Sequence, residues 1–246
     1  MKKIVTVATF SLTLILACVS VPAQTQTQSR DDVIKELEAK RAELAVLEQK
    51  VLAVADSDRE EFATFLSQPD TGIIRLLPRE TYDGAKKRGL AMNGGGAFYS
   101  FALAKHEYGQ GSDIMLEQGQ LSGGFAGADY GMLLNLGDVP LDQVVPNHVS
   151  VRALLDYMPT SAEPDARKAQ RALWQGMDLS GVVFKNRLPA KVSNTYLLRS
   201  VNFGGYDIAV AFRVTRKDTD GSLILLFKIL KRFPKPDLER PETIAQ

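Results

Sequence analysis

Cysteine is almost absent from this chain. Of 246 residues only Cys18 is one, so the sequence beyond it has neither a disulfide nor a thiolate nucleophile. Any domain it forms must hold together by packing alone. Histidine is as scarce: His106 and His148 stand 42 positions apart. A zinc site would need carboxylates as its other ligands. Glu107 and Asp113 lie near His106, but their spacing does not make them co-ligands. No metal and no cofactor is therefore expected. Charge of one sign is not in excess either, with 30 basic and 29 acidic residues. That balance argues against nucleic acid as a partner. There is no Gly-x-Ser-x-Gly elbow, no P-loop, no His-Glu-x-x-His and no Cys-x-x-Cys, so the familiar catalytic signatures are missing.

A run long enough to span a bilayer is lacking as well. The longest early apolar stretch, Ile4 to Ala17, has 14 residues without a charge, where a spanning helix needs about 20. Lys2 and Lys3 precede it, and Val21-Pro22-Ala23 supplies small residues before Gln24. This is the layout of a secretory signal peptide over residues 1–23, which predicts a periplasmic or secreted protein. Loss of Lys2 and Lys3 takes the net charge from +1 to −1. Leu14-Ile15-Leu16-Ala17-Cys18 also resembles a bacterial lipoprotein box. The two readings compete, because lipidation of Cys18 would make the protein membrane-anchored instead.

Residues 24–70 read as a polar linker and a helical segment. Gln24 to Gln28 is a Gln/Thr run. Ser29 and Asp32 then form a capping box. Val33, Leu37, Leu44, Leu47, Val51 and Val54 follow at alternating steps of four and three, with Lys40 as the odd member. That is a heptad pattern of three repeats. Asp31 with Lys35 and Glu36 with Lys40 add acid-before-base pairs. One reading is a coiled coil that makes a homo-oligomer. The other is an amphipathic helix laid on its own β domain. Ser57 and Glu60 cap a second helical stretch carrying Phe62, Phe65 and Leu66, and Pro69-Asp70-Thr71-Gly72 ends it.

Residues 71–233 read as a β-rich domain. Strands are expected at Ile73 to Leu77, Phe98 to Tyr108, Ile114 to Glu117, Leu121 to Phe125 and Tyr130 to Leu136, punctuated by glycines. Ser150 caps a helix to Met158, and Pro164 opens another that reaches Trp174. Ala166, Leu173, Trp174 and Met177 are expected on one face, with Trp174 read as a core anchor rather than a ligand platform. Val192 to Phe203 and Tyr206 to Lys217 flank Gly204-Gly205, which suits a tight hairpin with positive φ at both glycines. Leu223 to Leu230 is apolar on both faces, as a strand covered on both sides is. Residues 234–246, rich in proline and charge, read as a disordered tail.

Three features invite a functional reading. His106 oriented by Asp113, beside Tyr108, has the residue types of a general-base site; the plainer reading is an edge-strand histidine beside a turn. Glycines interleaved with Phe98, Tyr99, Phe101, Tyr108, Phe125 and Tyr130 suggest a ligand-binding face or, more plainly, a strongly bent sheet. Gly94-Gly95-Gly96 precedes a strand-like segment rather than a helix, so it reads as a turn and not a phosphate cradle. Lys228, Lys231, Arg232 and Lys235 form a basic cluster that suits an anionic surface or a lysine-protected strand edge.

The sequence as a whole predicts an α+β fold. An N-terminal amphipathic or coiled-coil helix precedes an antiparallel β-sheet domain, a sandwich or partly open barrel with one or two inserted helices. It predicts an exported bacterial cell-envelope protein with a non-enzymatic binding or structural role, its partner a protein or envelope component. A small apolar-ligand carrier in a curved sheet and an exported hydrolase near His106 are the alternatives.

Overall fold

In a computed structural model, residues 29–80, 96–106 and 111–239 are described. The leader, Cys18, Gly94, Gly95 and Tyr108 lie outside them. Two compact units divide the chain, 1–44 and 45–246. The fold combines helices with antiparallel sheets, as an α+β reading requires.

Helix α1 (Arg30–Leu52) begins where its capping residues place it. Ser29 Oγ accepts from the Asp32 amide at 3.2 Å and donates to the Asp32 carboxylate at 2.7 Å. Asp31 and Asp32 in the first turn and Lys50 in the last suit the helix dipole. Lys40 pairs with Glu43 at 3.0 Å rather than with Glu36. The helix buries no residue; Leu37 and Leu47 are 52% and 57% exposed.

Two short helices follow, α2 (Asp56–Glu61) and α3 (Ala63–Leu66). Ser57 is not the cap. Helix α2 starts one residue earlier and has no side-chain cap. It is fixed instead by Asp58, which is buried and forms a two-armed ion pair with Arg216, 2.9 Å on one arm.

A five-stranded antiparallel sheet carries the core. Its order is β1 (Thr71–Leu76), β11 (Leu223–Phe233), β10 (Tyr206–Lys217), β9 (Thr195–Asn202), β5 (Tyr130–Gly137). Alternation along β10 explains why both faces are covered. Ile208, Val210, Phe212 and Val214 point into one apolar cluster, while Ala209 and Ala211 point into the other. The first cluster also takes residues from β2 (Phe98–Tyr99), β3 (Ile114–Glu117) and β4 (Gln120–Ser122), which form a second sheet with β8 (Arg187–Pro189). The opposite cluster takes Val151 and Leu154 from α4 (Val149–Asp156) and Ala166 and Leu173 from α5 (Glu163–Gln175). It also takes Phe184 from the β6–β7 hairpin (Met177–Leu179, Val182–Phe184). Each fully buried Leu, Ile or Phe contributes about 1.5–3 kcal/mol, so two such clusters replace the absent disulfides.

Several local expectations change. The strand expected over Phe98 to Tyr108 lasts two residues. The chain then turns back, so that Ser100 and Lys105 bridge each other, with Ala104 at φ 52°. Helix α4 is capped by His148, whose Nδ1 accepts from the Ser150 amide, and not by Ser150. Asn202 pairs with Tyr206, so the β9–β10 loop holds three residues, and only Gly204 of the two glycines has positive φ. Strand β11 is internal to the sheet, but β1 pairs only as far as Lys228. Lys231 and Arg232 therefore extend past the end of β1. Residues 234–239 are tied down rather than disordered: the Gly204 amide donates to Pro236, and Glu239 exchanges backbone bonds with Ser161 and Glu163.

Close backbone approach explains two glycines. A Cβ on Gly131 would stand 2.7 Å from Gly123 Cα, and one on Gly123 would stand 3.1 Å from Gly131 Cα. The end of β4 crosses β5 there with no room for a side chain. These glycines serve a sheet crossing, not a ligand.

Candidate functional site

Asp113 is fully buried and ends the turn before β3. Its Oδ2 accepts from the Phe101 amide at 2.6 Å and the Ala102 amide at 3.2 Å. Ser100 Oγ and Asn202 Nδ2 approach the same carboxyl at 3.4 Å. Asn202 Nδ2 also donates to Ser200 Oγ at 3.0 Å. Tyr206 stands 2.9 Å from Ser100 Oγ and donates to the Gly111 carbonyl. Ser200, Asn202 and Tyr206 sit on the same face as Ile208 and Leu198, because alternate strand residues share a side. Burial pushes the Asp113 carboxyl above its ordinary range, against the hydrogen bonds from Ser200, Ala102 and Phe101 that pull it down. Tyr206 is raised by burial and by Asp113.

His106 lies beside this network but does not join it. Its Nδ1 is 2.9 Å from the Phe98 carbonyl, so the neutral ring donates there. The ring meets Tyr99 edge-on at 5.1 Å. Burial holds His106 below its ordinary value, and Tyr99 is pushed up to about 12 by burial and then by Asp113. Thus Tyr99 separates the two predicted partners: its ring meets His106 and its carbonyl accepts from the Asp113 amide at 2.9 Å. No hydrogen bond joins His106 to Asp113 among the described residues. The carboxylate holds the 100–106 turn to the main sheet, a structural task. No three potential metal ligands gather among the described residues.

The opposite face of the sheet holds a second buried polar group that sequence reasoning missed. Arg199 is 1% exposed. Its Nε and Nη2 clasp Asp207 at 2.9 and 2.8 Å, and its Nη1 donates to the carbonyls of Leu154 and Tyr157 at 2.8 and 2.6 Å. The Phe233 ring stacks on the guanidinium at 3.6 Å. Arg199 fastens the carboxyl end of α4 to β9. The signal was present in the alternation, which puts Arg199 on the inward face with Leu197 and Val201.

Two features do face solvent. The first is the apolar row of α1. The second is Trp174, which is not a core anchor: it is 73% exposed, while Ala166 and Leu173 fill the inward face of α5. A groove of about 310 Å³ lies beside it.

No protein-family model, curated protein or solved structure matches the chain. No described helix is long and apolar enough to cross a membrane.

Proposed function

We propose that the chain is an exported bacterial cell-envelope protein that acts by binding and assembly rather than catalysis. In this reading the leader directs it to the periplasm or beyond. Its α1 helices self-associate as a coiled coil, and a β sandwich displays the surface that meets an envelope partner. The observation that carries it is the row Val33, Leu37, Leu44, Leu47 and Val51, exposed by 40–57% at heptad spacing along 23 residues of helix. A 3.5-residue period is what a second copy of the same helix matches. Lys40 interrupts the seam, and a polar residue there fixes register at some cost in stability. The closed network around Asp113 supports the non-catalytic part, since its polar atoms are spent on the fold.

Sedimentation of the purified full chain over a hundredfold concentration range tests the reading. The wild type is expected to be an oligomer and Leu37→Asp/Leu44→Asp a monomer with unchanged far-ultraviolet circular dichroism per residue outside α1. A wild type that stays monomeric throughout overturns the assembly. The intact mass of the same sample separates a start at Gln24 from a lipidated Cys18.

A further inference from the structure

The groove beside Trp174 is used neither by the α1 row nor by the core. Trp174 stands on the last turn of α5 and is the only tryptophan in the chain. The groove is lined also by Phe125, Asn186, Arg187 and Glu117, with Ser122 among its walls. Its volume of about 310 Å³ lies at the small end of the range of about 300–1,000 Å³ for ligand sites. Phe125 is held edge-on by Phe98, ring centroids 5.3 Å apart. Glu117 is held by Arg79 at 2.9 Å, with Arg187 at 3.9 Å on its other oxygen. The charges of the rim therefore oppose one another, which disfavours a strongly ionic ligand. Ser122 is 8% exposed, and its Oγ is the one buried side-chain polar atom without a hydrogen-bond partner among the described residues. Native folds rarely leave such a hydroxyl unpaired.

Each class of ligand can be set against these facts. A purely apolar molecule would cover Trp174 and Phe125 but leave the Ser122 hydroxyl unsatisfied. An anion would meet Arg187 and be repelled by Glu117. A sugar ring has one apolar face of C–H groups, weakly positive toward a π-face, and a rim of hydroxyls that both donate and accept. We propose that this groove binds a short neutral oligosaccharide, with one ring stacked on Trp174 and a ring hydroxyl bonded to Ser122 Oγ. The assignment does not depend on assembly through α1.

Because Trp174 is the only tryptophan, its emission reports binding directly. The full chain is titrated to millimolar concentration with trisaccharides of glucose, of mannose and of N-acetylglucosamine, and separately with sodium dodecanoate. At least one trisaccharide is expected to give a saturable emission change. Ser122→Ala, a small change that leaves the fold intact by circular dichroism, is expected to weaken that binding about fivefold, the worth of one neutral hydrogen bond. Trp174→Phe, followed by calorimetry, is expected to weaken it as well. A response to dodecanoate alone, or to none of the four, overturns the proposal. A Ser122→Ala variant with unchanged affinity overturns the assignment of the ring hydroxyl to Ser122.

Discussion

Replacing Arg199 by Met tests whether a buried ion pair holds the helical layer to the sheet. The change keeps an unbranched chain against Phe233 but removes five donors. Asp207, 2% exposed, is left without the fork that clasps it. Breaking one side of a buried pair costs about 3–5 kcal/mol. The carbonyls of Leu154 and Tyr157 lose their donor as well, at about 1 kcal/mol each once partial rehydration is allowed. The total of about 5 kcal/mol is a large share of the ~5–15 kcal/mol that stabilises a domain. With a urea slope of about 2–3 kcal/mol/M, the midpoint should fall by about 2 M. Far-ultraviolet circular dichroism follows the transition. The double variant Arg199→Met/Asp207→Leu removes the stranded charge and should regain more than half of the loss. A single variant within about 1 kcal/mol of wild type, or a double variant no better than the single, would refute the reasoning.

Three further outcomes follow from the same geometry. Asp129 is pushed up to about 6 by burial, against the hydrogen bond from the Phe203 amide at 2.9 Å. A raised native value means stability is fullest below the unfolded value and declines as pH rises from about 4 through 6, by about 2 kcal/mol. Asp129→Asn keeps the acceptor and should therefore gain on wild type at pH 8 but not at pH 4, in paired urea titrations; the raised Asp113 leaves a residual slope of the same sign. Gly131→Ala should cost about 2–4 kcal/mol, because its Cβ would meet the Gly123 backbone at 2.7–2.8 Å; an unshifted melting temperature would show that the crossing yields. Leu37→Asp should leave the melting of the β domain within about 0.5 kcal/mol, since the side chain is 52% exposed, and a larger loss by calorimetry would contradict that exposure.

What the sequence determined by itself is local and periodic. The cap at Ser29, the hairpin partners of β10, the turn at Asp218 to Gly221 and the two-faced apolar content of β11 depend on neighbours a few positions away. Alternation even placed Arg199 inward, although it named no partner. Tertiary structure decided the rest. The strand after Phe98 stops because Asp113, twelve positions beyond Phe101, takes its amide and that of Ala102. That same commitment of Asp113 removes it from His106. Residues 234–239 look like a tail by composition, but they find backbone partners at Gly204, Ser161 and Glu163. Trp174 shares a helical stretch with Leu173, and one residue is about 100° of rotation on a helix. That rotation buries Leu173 and turns Trp174 to the groove, a choice fixed only by which side of α5 meets the sheet.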